Sequence, residues 1–249
     1  MLQKVEGIVI RTIDYGEANK ILTLYTREMG KIGVMARGAK RPKSRLSSIS
    51  QLFTHGNYVF QKTSGLGILN QGEIIRSFRD LRSELFLTAY GAYVVELLDK
   101  LTDQHDINPY LYELLLQTIG YIDEGLDYEI LTRIFEMKML RVAGIGINVD
   151  NCARCGAVEG DFSFSIKEGG LLCQRCLYAD GRSLKINFTT AKLLRLFYYF
   201  DLNRLGSISV KTETKHQLKQ VLEAYYDEYS GLRLKSKRFL NQLNNMKLD

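Results

Sequence analysis

The sequence predicts an α+β chain in two parts: a small five-stranded β-barrel, then a mainly helical body that carries a four-cysteine, zinc-ribbon-like insertion. Three observations predict it. The first 75 residues are short runs rich in Ile, Val, Thr, Tyr and Phe, separated by segments with Gly, Asn, Asp or Ser. From about residue 78 apolar positions recur at three and four. All four cysteines fall within 25 residues.

The strand-like runs are Val5 to Ile13, Lys20 to Arg27, Lys31 to Ala36, Asn57 to Lys62 and Gly67 to Ile75. Two connections are hairpin-length, and the one from Arg37 to Phe53 is long and basic. Five short strands with an insertion after the third suggest a closed or partly open barrel, which removes exposed sheet edges. The first domain is therefore expected over residues 1–80 and the helical one over 81–249, with a metal-binding insertion at 150–180.

In the helical part, Phe86, Ala89, Tyr93, Leu97 and Leu101 share one face of a helix over Ser83 to Leu101. Pro109 opens the next, through Ile122, where its missing N–H costs little. Asp127 is placed to cap a third that runs to Gly144. Thr189 or Thr190 would cap a fourth through Phe200, a fifth spans about 212–229, and the last runs from Ser236 to about Asn244. No run approaches the roughly 18 uncharged apolar residues of a membrane span. The N-terminus lacks a secretory pattern, so the expected location is the cytoplasm.

The net charge of +6 is unevenly distributed. Residues 1–80 hold 13 Lys/Arg and 6 Asp/Glu, a balance of +7, and residues 81–249 a balance of −1. Such asymmetry points to a polyanion-binding module joined to a neutral body, although basic surfaces also serve solubility. The densest segment, Arg37-Gly-Ala-Lys-Arg-Pro-Lys-Ser-Arg45, carries Arg37, Lys40, Arg41, Lys43 and Arg45 with no acid. Gly38 and Pro42 oppose a helix there, so it reads as an exposed loop suited to phosphate contacts. Arg11 and Lys31 on the strands extend the candidate DNA-binding set. Small barrels also stack bases on aromatic rings, and Tyr25, Tyr58 and Phe60 are candidates, with core packing as the competing use. A second basic stretch holds Arg233, Lys235, Lys237, Arg238 and Lys247 and reads as the solvated side of an amphipathic terminal helix.

The cysteines form Cys152-Ala-Arg-Cys155, 17 residues beginning with Gly156, then Cys173-Gln-Arg-Cys176. This paired spacing predicts a tetrahedral Cys₄ zinc site, with an intervening hairpin around Phe162 to Ile166 and Gly169-Gly170. Two disulfides or a redox pair are the alternatives, and both compartment and paired spacing favour zinc. Four thiolates close the coordination sphere, so the zinc is expected to be structural and not catalytic. Arg154 and Arg175, inside the two turns, would touch phosphate or solvent.

No G-x-x-x-x-G-K-[ST] loop or complete dinucleotide fingerprint occurs, and His55, His105 and His216 sit in no catalytic motif. No catalytic residue is assigned and the chain reads as a non-enzyme. The alternatives are a nucleic-acid-acting enzyme with an accessory zinc ribbon, or an adaptor docking acidic partner tails.

Taken together, Asp14-Tyr-Gly-Glu17, Leu24-Tyr-Thr26 with Gly30-Lys31, Arg37-Gly-Ala-Lys40 with Lys43-Ser44, the C-A-R-C-G…C-Q-R-C pattern and Leu234-Lys-Ser-Lys-Arg-Phe-Leu240 resemble the RecO family of bacterial recombination mediators. The resemblance spans the whole chain. It implies an oligonucleotide/oligosaccharide-binding (OB) barrel, binding of single- and double-stranded DNA, and annealing of complementary strands. It also implies that, with the partner RecR, such a protein helps RecA load on DNA coated by the single-strand-binding protein.

Overall fold

The computed structural model describes residues 1–206 and 208–246; Lys247 of the terminal basic stretch lies outside them. Five strands, β1 (Leu2–Tyr15), β2 (Asn19–Thr26), β3 (Gly30–Ala36), β4 (His55–Gln61) and β5 (Gly67–Arg76), form a closed barrel in the order β1-β2-β3-β5-β4. All pairings are antiparallel except β3 with β5, which the order makes parallel. This is the OB-type barrel that five short strands with a long third connection predict. β1 is the longest strand: Leu2 to Ile8 pair with β4 and Gly7 to Tyr15 with β2, and its register shifts between Val9 and Arg11. Val5, Val9, Leu22, Leu24, Ile32, Val34, Tyr58, Phe60 and Leu69 fill the interior.

Three helices follow: α1 (Arg79–Ser83), α2 (Leu85–Leu101) and α3 (Pro109–Asp123). Pro109 stands in the first turn of α3, and Asn108 caps it by accepting from the Leu111 N–H at 3.1 Å. Next come α4 (Tyr128–Val142), the strands β6 (Phe162–Ser165), β7 (Gly170–Cys173) and β8 (Leu184–Lys185), and helices α5 (Phe188–Tyr199), α6 (Thr212–Tyr229) and α7 (Lys235–Met246). Asp127 caps α4 by accepting from Ile130 N–H. α5 begins two to three residues earlier than expected: Asn187, not Thr189 or Thr190, accepts from Thr190 N–H at 2.8 Å.

The chain divides into two compact units, Met1–Gly125 with Leu234–Asp249, and Leu126–Arg233. In the first, α7 packs on α2 through Leu240 and Leu243, and the Glu96 carboxylate accepts from the Ser236 N–H at 2.8 Å at the start of α7. In the second, the nearly fully buried α4 is flanked by α5 and α6. A three-stranded sheet in the order β7-β6-β8 completes that unit. Among the described residues no helix is long and apolar enough to cross a membrane.

Candidate nucleic-acid interface and metal centre

The β3–β4 connection is a chain of turns, and its sequence sorts inward from outward. Ala39 and Ile49 are buried at the barrel end, Leu46 packs beside them, and Tyr58 Oη donates to the Thr54 carbonyl at 2.9 Å. The connection is anchored at Lys40, whose N–H donates to the Ala18 carbonyl at 2.9 Å, and at Gly38, whose N–H donates to Asn19 Oδ1 at 2.9 Å. Around these anchors Arg37, Lys40, Arg41, Lys43 and Arg45 are all exposed. Lys40 pairs with Asp14 at 2.9 Å, which holds that carboxyl below its usual range. The result is a fixed platform of cations in water, the arrangement that displaces counterions from a phosphate backbone.

The strand cations behave differently. Arg11 is half exposed, with Nε donating to Thr23 Oγ1 at 3.2 Å and Nη1 3.5 Å from Asp99. Lys31 is corrected from a DNA contact to a structural cation. It is buried, and its ammonium lies 3.1 Å from Asp99 Oδ1 while donating to the carbonyls of Asp99 and Thr102. Alternation alone would not reveal this, because the groups that cover Lys31 lie some 70 residues downstream. Tyr25, Tyr58 and Phe60 are corrected likewise: all three are buried residues, 0–3% exposed, rather than open stacking platforms. Burial pushes the Tyr25 hydroxyl up to about 12, with Asp106 adding to it.

One residue given no role in the sequence holds a buried network. His55 Nε2 lies 2.9 Å from Glu6 Oε1 and 3.1 Å from Tyr112 Oη, which itself donates to Glu6 at 3.1 Å. Burial opposes ionisation of Glu6, but His55, Tyr112 and Arg27 outweigh it and keep that carboxyl below its ordinary range.

The four cysteines converge as their spacing predicts. β6 and β7 pair antiparallel with Phe162 opposite Cys173, which presents that thiol at the strand end. Cys176 follows in a 3₁₀ turn over Gln174–Ala179. The first pair is folded by Gly156 N–H donating to the Cys152 carbonyl at 2.9 Å, and Gly156 takes a left-handed φ of +73° that ends the turn. Ala153 N–H donates to the Leu171 carbonyl at 2.7 Å and ties the turn to β7.

All four sulfurs lie within 4.8 Å of one another, and Cys155 and Cys173 Sγ are 3.6 Å apart. A tetrahedral ion with Zn–S bonds of about 2.3 Å sets its sulfurs roughly 3.8 Å apart, so the donor set fits a metal ion. Protonation chemistry agrees. Burial opposes ionisation of Cys152, yet backbone N–H groups of Cys155, Cys173 and Arg154 bring its thiol down to about 6. Burial and the neighbouring thiols push Cys176 up to about 12. Four thiolates packed within 4.8 Å would repel one another, and a cation among them would offset that repulsion. Arg154 is exposed, pairs with Glu168 at 3.2 Å and lies 5.9 Å from the Tyr178 ring; Arg175 is also exposed.

The chain thus combines an OB-type barrel bearing a cationic loop with helices and a four-cysteine cluster that could hold a metal ion. Residues 1–78 match the family model described as recombination protein O N terminal, and residues 82–238 the one described as recombination protein O C terminal. The chain is 59% identical over 246 residues to the DNA repair protein RecO of Halalkalibacterium halodurans, covering 99% of this chain and 97% of the relative. It is 56% identical over 247 residues to that of Bacillus subtilis, with 99% and 97% coverage, and 54% identical over 248 residues to that of Bacillus cytotoxicus, with 100% of each covered. The chain belongs to the RecO family of DNA repair proteins.

Proposed function

We propose that the protein is a non-enzymatic recombination mediator that binds single- and double-stranded DNA through its barrel and anneals complementary strands. One observation carries this reading: five exposed cations from Arg37 to Arg45, held by backbone anchors on an otherwise closed barrel. With Arg11 they form the DNA-binding set, in a barrel domain over residues 1–80 followed by a helical domain over 81–249. Annealing needs no turnover chemistry. Cations lower the repulsion between two phosphate backbones, and bases left outside the interface remain able to pair.

In the same reading the four thiolates of the 150–180 insertion hold structural Zn²⁺, which sets the ribbon and takes no part in a reaction. The protein acts in the cytoplasm at the nucleoid. RecR and the single-strand-binding protein are its direct partners, and RecA loading is the outcome. What supports a protein partner is the exposed face of α5, where Leu196 and Tyr199 are flanked by Lys192, Arg195 and Arg204 around an open hollow of about 570 Å³. An apolar face with a rim that is cationic apart from Asp201 suits an acidic segment carrying apolar residues.

Annealing of two complementary oligonucleotides, bare and coated with single-strand-binding protein, tests the reading. Faster annealing in both formats is expected, without strand cleavage. Absence of DNA binding and of annealing, with retained binding to the coating protein, would replace it with the adaptor reading.

A further inference from the structure

The flank of the ribbon carries a second hollow that the cysteine centre and the basic loop leave unused. It measures about 300 Å³ and lies between the turn after Cys155 and the N-terminal half of α5. Val158, Phe162 and Leu171 line it from the ribbon, and Phe188, Ala191 and Lys192 from α5. Lys192 and Arg195 border this hollow and the α5 hollow alike, so the two run into one groove. Phe188, Lys192, Arg195 and Tyr199 recur at three and four along one helix face. At about 1.5 Å per residue that face is roughly 16 Å long.

The groove is apolar at its ends and cationic at its centre. Val158 and Phe188 are 61% and 69% exposed at one end, and Leu196 and Tyr199 are 48% and 59% exposed at the other. Contiguous apolar surface of this kind marks an interaction site more often than a bare surface. Among the described residues that line the groove the acids are Glu159 and Asp201, one toward each end, and Lys192 at the centre is exposed.

The cysteine centre reaches the groove through one short segment, Asn148 to Cys152. Asn148 N–H donates to the Gly169 carbonyl at 2.8 Å, and Cys152 N–H donates to the Ala157 carbonyl at 2.8 Å. Within the segment the Val149 carbonyl accepts from Arg195 Nε at 2.9 Å, and the Asp150 carbonyl accepts from Arg195 Nη2. The Asp150 carboxylate accepts from Tyr199 Oη at 2.6 Å. Val158 stands one residue past Ala157, so one wall of the groove and its central arginine both depend on the first cysteine turn.

We propose that the ribbon and α5 form one docking groove for an extended internal segment of a partner protein, acidic at its centre with an apolar anchor on each side. In this proposal the metal centre sets the groove through Asp150. The proposal rests on the partner-face reading of α5 above. An extended chain rises about 3.3 Å per residue, so roughly five residues span the helix face. The central carboxylates then meet Lys192 and Arg195, and the anchors fall in the two hollows.

The probe is a fluorescein-labelled peptide, Leu-Asp-Glu-Asp-Phe, amidated so that it has no charged C-terminus, read by polarisation against the full metal-loaded chain. Saturable binding is expected. Val158→Ser with Phe188→Ser changes two exposed side chains and is expected to weaken binding about tenfold, the scale of one buried apolar side chain, with metal content unchanged. Asp150→Ala keeps all four cysteines, is expected to weaken binding severalfold, and serves if the double variant misfolds. Chelation is expected to abolish binding. Equal binding by the metal-free chain, or loss with Leu196→Ser but not with the Val158 and Phe188 pair, overturns the composite groove and leaves the α5 face standing. A loaded chain that binds single-strand-binding protein but not the peptide overturns the groove as well. One that binds neither overturns the partner-face reading itself.

Discussion

The barrel and the four-cysteine ribbon are both small β-structures, yet different forces hold them. The barrel closes strands of seven to fourteen residues around a dozen buried side chains. The ribbon has strands of four, four and two residues, with Phe162, Phe164, Leu171 and Leu172 as its buried apolar group. Segments of fewer than about 40 residues rarely bury enough surface to fold without a metal or a crosslink. On the proposed reading the barrel leaves its cations in water for a ligand, whereas the ribbon would commit its thiolates to a metal that holds its own fold.

Metal removal is the strongest way to break this contrast. Cys173→Ser, or a chelator acting on the unaltered chain, is expected to abolish metal content and unfold the ribbon, since apparent metal-binding energies of about 10–16 kcal/mol appear as folding energy in zinc peptides. Hydrogen exchange should show β6 and β7 losing protection while β1 to β5 keep theirs. A chain that purifies without metal, with the same melting and the same ribbon protection, would remove the structural role.

The barrel has its own point of failure, at Lys31. Asp99→Ala leaves that buried ammonium with carbonyl partners alone, and removing one member of a buried pair costs about 3–5 kcal/mol. Urea midpoints are expected to show this loss. Replacing both members, Lys31→Met with Asp99→Leu, is expected to recover most of it, because the desolvation cost leaves with the charges. A double variant no better than the single one would mean that Asp99 acts through Arg11 instead.

The unit that carries the ribbon buries a lysine on weaker terms. Lys138 donates to the Tyr198 carbonyl at 2.8 Å. Burial, with Arg141 adding to it and Asp201 opposing, pulls its ammonium from 10.5 down to about 8. The folded state thus resists the proton: the penalty is complete below about 8 and fades as pH rises toward 10.5. Lys138→Met is expected to stabilise the chain at pH 7 by on the order of 1–2 kcal/mol. The gain should shrink through that window in melts taken across pH. A gain that does not change with pH would assign it to packing.

What was legible in the sequence follows the range of each interaction. Period and caps act over a few residues, and so the five strands, Pro109 and Asp127 emerge within a few positions of where they stand. The cysteine centre is legible because its chemistry is written in spacing. α5 is displaced only because Asn187, Thr189 and Thr190 compete for one cap. Lys31 and His55 were not legible. Their partners, Asp99 and Glu6, are brought in from dozens of residues away, and alternation cannot say which strand face a later segment will cover. Tyr58 and Phe60 went to the core for a related reason, since a barrel without large interior residues would be hollow, whereas Tyr25, on the strand face opposite Leu24, is buried beside Asp106 of a later segment.

The smallest expected effect on stability belongs to the loop, and it separates holding a fold from holding DNA. Lys40 is left intact for its pair with Asp14, and Lys43 because its φ of +61° makes substitution there a backbone change as well. Arg37, Arg41 and Arg45 are exposed, and reversing all three to Glu should alter stability by no more than about 0.5 kcal/mol each. Duplex binding should respond strongly. Each lost phosphate contact removes about 0.9 from the slope of log affinity against log salt, so three should flatten it by roughly two to three. Single strands should flatten less, at about 0.7 per contact. An unchanged slope with weaker binding would mean that the arginines act by shape rather than by counterion release, and an unchanged affinity would move the interface off this loop and onto the barrel wall.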